Sequence, residues 1–245
     1  MKISIKRFNS EISEPNYISE YEVNNSNLLQ ALIEIKTKED NSLTFRCGCK
    51  SGVCGSCAIR VNGIEKLACK TFIKENDFIE PIKNLNIIKD LIVNVSHETI
   101  LIKKTKISLD ENENLSEISQ EDIKKIDSQS NCILCNSCYS SCPVYDANKE
   151  FLGPFALTRA LRYLNDKKLL NKATILDSIQ SSGIWDCTLC SACTLVCPQS
   201  IDPKADIMQL QNISVQNGYT NPYEQSFDFN ESFEDDFGGF NPNGF

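Results

Sequence analysis

The sequence predicts an α+β chain of two unlike halves, strand-rich to about residue 100 and helical beyond it. Three observations carry this. Short alternating segments bounded by turn residues fill the first half. Amphipathic segments opened by proline or a capping residue fill the second. Twelve of the thirteen cysteines fall into three groups of four, one group in the first half and two in the second, with different spacings. At 245 residues the chain is longer than a typical single domain.

Ile3–Phe8 and Tyr17–Val23 alternate as half-buried strands do. Asn27–Ile33 has helical spacing, with Leu28, Leu32 and Leu29 toward one face. A Gly/Cys-rich loop runs from Cys47 to Cys57. Ala58–Val61 and Ile64–Leu67 flank Asn62-Gly63, the strongest short hairpin signal. Phe78–Glu80 and Leu91–Val93 are further strand candidates. Residues 101–115 are polar and then acidic, as a linker is. Ser119 with Asp122 resembles a capping box. Pro154 sits at a first helical position before Phe155, Leu157, Leu161 and Leu164. Lys172–Ser182 reads as a helix stopped by Gly183. Asp202-Pro203 caps and opens a helix running toward Gly218.

Composition narrows the function. Hydrophobic residues make up 41% and charged residues 24%, which are globular values. The net charge is -8; Asn221–Phe245 carries six acids and no Lys or Arg, so -2 remains for the other 220 residues. That balance offers nucleic acid no basic footprint. No apolar run approaches the ~20 residues that span a bilayer. The N-terminus lacks the apolar stretch of an export signal, so neither anchor nor signal is expected within the chain itself. The acidic tail also places Phe227, Phe229, Phe233, Phe237, Phe240 and Phe245 among polar residues. Disorder and docking into a partner's groove are both compatible with that pattern.

The cysteines are the chemical signal. An odd count with repeated C-x-x-C spacing argues against a disulfide framework and for metal ligation in a reducing compartment. Cys132-x2-Cys135-x2-Cys138-x3-Cys142-Pro143 repeats as Cys187-x2-Cys190-x2-Cys193-x3-Cys197-Pro198. This is the bacterial two-cluster ferredoxin spacing, in which the fourth cysteine of each run serves the other cluster. One [4Fe–4S] cluster is therefore assigned to Cys132, Cys135, Cys138 and Cys197. The other is assigned to Cys142, Cys187, Cys190 and Cys193. Zinc sites use two separated ligand pairs instead. Cys49-x4-Cys54-x2-Cys57 has plant-type [2Fe–2S] spacing, with Cys69 as fourth ligand across the hairpin. Gly48, Gly52 and Gly55 permit the backbone turns and the N–H···S bonds such a loop needs. Cys47 is either a swapped ligand or a spare thiol, and spacing favours Cys49. His97, the single histidine, reads as a structural or surface residue, and Trp185 as a cover over the cluster beside Cys187 or as plain core. A scaffold role for the clusters is the rival outside redox chemistry.

The run Arg46-Cys47-Gly48-Cys49-Lys50-Ser51-Gly52-Val53-Cys54-Gly55-Ser56-Cys57, then Leu67-Ala68-Cys69, then the two repeated motifs, resembles the iron–sulfur subunit of the succinate dehydrogenase/fumarate reductase family over residues 1 to about 215. The resemblance implies a β-grasp plant-type ferredoxin domain over 1–100, a linker over 101–115, an all-helical bacterial-type ferredoxin domain with two cubane clusters over 116–217, and an acidic Phe-rich tail over 218–245. It implies an electron-transfer subunit with no catalytic site of its own. Its partners would be a flavoprotein holding FAD and the dicarboxylate site, and a membrane-associated subunit exchanging electrons with quinone. The complex would lie peripherally on the inner membrane. Conventional members have a non-cysteine residue at the place of Cys190 and hold a [3Fe–4S] cluster; a fourth thiolate completes a [4Fe–4S] cluster of lower potential. They also carry His where this chain has Thr188, and Trp within the stretch that reads Pro143-Val144-Tyr145-Asp146-Ala147. Both departures resemble the non-conventional branch, which includes methylmenaquinol:fumarate reductases with a cysteine-rich third subunit. A low potential suits menaquinol as donor. A thiol-driven fumarate reductase, or another heterodisulfide-reductase-like complex, is the alternative.

Overall fold

The computed structural model describes residues 1–109 and 117–223. β1 (Lys2–Phe8) turns Ile3, Ile5 and Arg7 inward. β2 (Asn16–Glu22) pairs with it antiparallel. α1 (Leu28–Lys38) starts where Asn27 accepts the Gln30 N–H, and it buries Leu28, Leu29, Leu32 and Ile35. It runs one turn further than the spacing predicts, because Ile35 continues the apolar stripe. β3 (Ala58–Val61) and β4 (Ile64–Leu67) form the predicted hairpin. Asn62 and Gly63 both have positive φ, 50° and 80°, as a type I′ turn requires. β5 (Asp77–Glu80) lies parallel to β1 and antiparallel to β3, which gives the sheet order β2-β1-β5-β3-β4. α1 packs with the sheet's inward residues in one core, from Ile3 to Val93.

β6 (Ile87–Lys89) and β7 (Ile92–Val93) form a separate ribbon that turns at Asp90. Asp90 is buried without exposure and accepts Arg7 Nε at 2.8 Å. Arg7 is itself 1% exposed and also reaches Asp40, and these carboxylates raise its pKa further against the opposing effect of burial. Removing either partner would strand a buried charge, which costs roughly 3–5 kcal/mol.

α2 (His97–Lys104) crosses the boundary predicted between residues 100 and 101. Leu101 and Ile107 belong to the core of the second half, so this stretch is structure where the sequence predicts linker. The remainder of that linker, residues 110–115, lies outside the described residues together with residue 116, as does the tail from residue 224.

Among the described residues of the second half every regular element is a helix. α3 (Gln120–Ser130) opens with the predicted Ser119/Asp122 capping box. α4 (Ser137–Ser140) and α5 (Pro143–Ala147) are single turns within and after the second cysteine motif. α6 (Pro154–Leu164) has Pro at its first turn and buries Phe155, Leu157, Leu161 and Leu164. Each such side chain contributes about 1.5–3 kcal/mol. α7 (Lys172–Ser178) ends four residues before Ser182, the predicted last residue of that helix. The chain then folds back so tightly that a Cβ on Gly183 would sit 1.9 Å from Ile179 O. Gly183 thus serves close approach rather than a helix cap. α8 (Ala192–Leu195) lies in the third motif, and α9 (Pro203–Gln216) packs on α6. Buried Asp206 of α9 accepts from Gln129 at 2.7 Å and Thr158 at 2.8 Å, joining α3, α6 and α9.

Candidate metal centres

All thirteen cysteines are free thiols. In the first group the chain makes a cage of N–H donors. Ser51, Val53 and Cys54 donate to Cys49 Sγ at 3.3–3.4 Å, and Cys49 N–H donates to Cys54 Sγ at 3.4 Å. Ser56 Oγ lies 3.0 Å from Cys54 Sγ. Gly52 and Gly55 have positive φ, whereas Gly48 is required for close approach, since its Cβ would lie 2.9 Å from Cys54 Sγ. The Ser51 side chain and the surrounding N–H groups hold the Cys49 thiol down to about 5. Cys57 leads into β3 and Cys69 sits in the single 3₁₀ turn after β4; their sulfurs are 3.5 Å apart. Burial pushes the Cys57 thiol up to about 11, with Cys69 and Cys54 adding to the rise.

The second and third motifs fold alike. Leu134 and Asn136 have φ of 52° and 65°; Leu189 and Ser191, their counterparts, have 54° and 68°. A short turn of helix follows each, α4 and α8. The fourth cysteines cross over. Cys132, Cys135, Cys138 and Cys197 line one cavity. Cys142, Cys187, Cys190 and Cys193 line another. Burial raises most of these thiols, Cys138 well above its ordinary value and Cys193 up to about 12. Bare, Cys138 and Cys193 would be neutral; a bound metal core would displace their protons. Among the described residues no three His, Cys, Asp or Glu side chains converge as around a single ion.

Exposure differs along the series. Cys49 and Cys54 are exposed at one end and Cys190 at the other, while none of the Cys132 quartet is. Cys47 is exposed and lines neither cavity. His97 packs edge-on against Tyr139, 5.3 Å between ring centres, and burial lowers its pKa. It belongs to an aromatic group with Tyr139, Tyr145 and Phe155. Of its two expected places, Trp185 takes the core, packing against the apolar cluster of the second half. Its indole donates to Gln180 at 2.8 Å and it lines a cleft with Tyr219 and Tyr223, apart from the cavity of Cys187. Residues that sequence reasoning missed join the two halves: Glu65, Asn84, Ser140 and Gln199. They carry no motif, since their partners lie 55 to 147 positions away.

Two family models match. Residues 2–99 fit a 2Fe-2S iron-sulfur cluster binding domain, and residues 128–201 fit a 4Fe-4S dicluster domain. The chain is 36% identical to the fumarate reductase iron-sulfur subunit of Haemophilus influenzae, across 85% of this chain and 91% of that one. It is 32% identical to the 8-methylmenaquinol:fumarate reductase iron-sulfur subunit of Wolinella succinogenes, across 89% and 74%. Among solved structures, a chain of the Mycobacterium smegmatis Sdh1 complex in the apo form superposes with a TM-score of 0.77 at 23% identity, covering 91% of this chain and 98% of that one. That superposition speaks to the fold.

Proposed function

We propose, from the premise that the chain belongs to the family of fumarate reductase and succinate dehydrogenase iron–sulfur subunits, a specific ligand set for its electron-transfer role. Cys49, Cys54, Cys57 and Cys69 hold a [2Fe–2S] cluster. Cys132, Cys135, Cys138 and Cys197 hold one [4Fe–4S] cluster, and Cys142, Cys187, Cys190 and Cys193 the other. The crossing-over of Cys142 and Cys197 into each other's cavity carries this assignment. Once bound, the clusters supply one-electron carriers. The residues do the rest. N–H groups and Ser51 favour anionic sulfur in the first loop, and burial keeps water from the second site.

The sheet crossed by α1 is classed as a β-grasp unit over residues 1–100, and residues 116–217 as a helical ferredoxin unit with two cubane sites. The exposed ends of the thiol series are where partners meet it: an FAD-bearing flavoprotein at Cys49 and Cys54, and a cysteine-rich, membrane-associated subunit linked to quinone at Cys190. Among the described residues no helix is long and apolar enough to cross a membrane, which fits a peripheral place in such a complex. Four thiolates around the Cys190 site lower its potential relative to a three-iron centre, so the favoured direction is from menaquinol to fumarate.

Two measurements test this. Anaerobically purified protein should show reduced two-iron and four-iron paramagnetic signals and no three-iron signal when oxidised; a colourless, zinc-loaded protein refutes it. The assembled complex should reduce fumarate with menaquinol analogues. Reduction by coenzyme thiols but not quinols would transfer the chain to the thiol-driven enzymes.

A further inference from the structure

The seam between the halves is closed by side chains that no cluster site requires. Gly55 lies between Cys54 and Cys57, and a Cβ there would stand 2.6 Å from Ile133 O and 3.0 Å from Cys135 Cβ. The first cysteine loop therefore touches the second motif backbone to backbone. Polar contacts hold it there. Ser140 Oγ donates to Glu65 of β4 at 2.6 Å and accepts the Lys83 N–H at 2.7 Å. Asn84 Nδ2 donates to Tyr139 O at 2.9 Å and lies 3.3 Å from Ser140 O. Gln199 donates to Gly52 O at 3.0 Å. Ser140 stands between Cys138 and Cys142, on the segment that serves both quartets. Its counterpart in the third motif is Leu195, 84% exposed against 4%. The motif's local geometry thus needs neither the hydroxyl nor its burial.

We propose that Glu65, Asn84 and Ser140 are positioning residues that hold Gly55 against Cys135 and so set the gap between the first thiol site and the Cys132 site. This rests on the cluster assignment above. Buried polar groups that satisfy one another specify a single arrangement, and losing one partner leaves the others unpaired. The segment would then be free to shift without any thiol being removed.

The test uses the cluster-loaded full chain, kept anaerobic and fully reduced. Microwave power saturation of the two-iron signal reads how strongly its four-iron neighbour speeds its relaxation. In the Ser140→Ala/Asn84→Ala double variant we expect that enhancement to be lost, with iron content and both midpoint potentials unchanged. Asn84→Ala alone, a milder change, should lose part of it. Glu65→Gln, which keeps an acceptor for Ser140, should retain it. Unchanged relaxation in the alanine variants would overturn the proposal, and so would loss of iron in step with loss of enhancement, which would make these contacts mere fold support. Absence of both signals from the unmodified protein would overturn the cluster assignment as well.

Discussion

The second and third cysteine motifs are a natural experiment in one chain. Their spacing is the same and their left-handed residues coincide, Leu134 with Leu189 and Asn136 with Ser191. Their surroundings are opposite. Tyr139 is fully buried and its hydroxyl reaches Leu152 O, whereas its counterpart Thr194 stays partly exposed and pairs with Asp202. Cys142 caps α5 through the Tyr145 N–H, with Pro143 at the first turn; Cys197-Pro198 leads only into a turn before α9. Cys135 is half-buried in the seam, while Cys190 is exposed. Spacing therefore dictates how a loop wraps, and the neighbouring half of the molecule dictates how much of the loop meets water.

Substitutions at matched positions should break the likeness, most severely at the proposed ligands. Cys135→Val places a branched side chain against Gly55. We expect loss of the proposed four-iron centre, read as iron content and absence of its signal. Cys190→Val, at an exposed corner, should leave a three-iron centre of higher potential, visible in the oxidised protein. Next, Tyr139→Ala should cost about 3–5 kcal/mol, as removing a large buried aromatic does. Thr194→Ala should cost only about 0.5–1.5 kcal/mol for its hydrogen bond. Chemical unfolding of the two variants compares them directly.

A pH series sharpens the contrast by adding the first loop. With Cys49 held down to about 5, its thiolate dominates at neutral pH, and alkylation of the cluster-free chain should fall as pH drops through about 5. Cys193, pushed up to about 12 by burial, should stay unlabelled at neutral pH. Mass spectrometry of the labelled peptides decides; labelling of Cys193 ahead of Cys49 would contradict the burial difference. Smallest of all, Leu195→Ser should change unfolding by no more than about 0.5 kcal/mol, as exposed positions do.

Local signals survived translation into structure wherever their bonds are local. The Asn62-Gly63 turn, the Ser119/Asp122 box, Pro154 and the Asp202 cap, which accepts the Ala205 N–H at 3.1 Å, each act within four residues. β6 has no signal of its own in the sequence, because Asp90, which looks like a polar interruption before the Leu91–Val93 strand candidate, is paired with Arg7 eighty-three positions away. α2 was opaque for a related reason: its charged residues hide a helix whose Leu101 belongs to the other half's core. The end of α7 depends on Gly183 meeting Ile179 O, and the place of Trp185 on Gln180.

By itself, the sequence determined the hairpin, the helix caps and the cysteine loops, because those follow from spacing, proline and left-handed backbone over a few residues. Only the tertiary structure decided which thiols face solvent, which quartet lies in the seam, and that Glu65, Asn84 and Ser140 meet there. Burial and long-range hydrogen bonds depend on how two halves pack, and no periodicity along the chain records that packing.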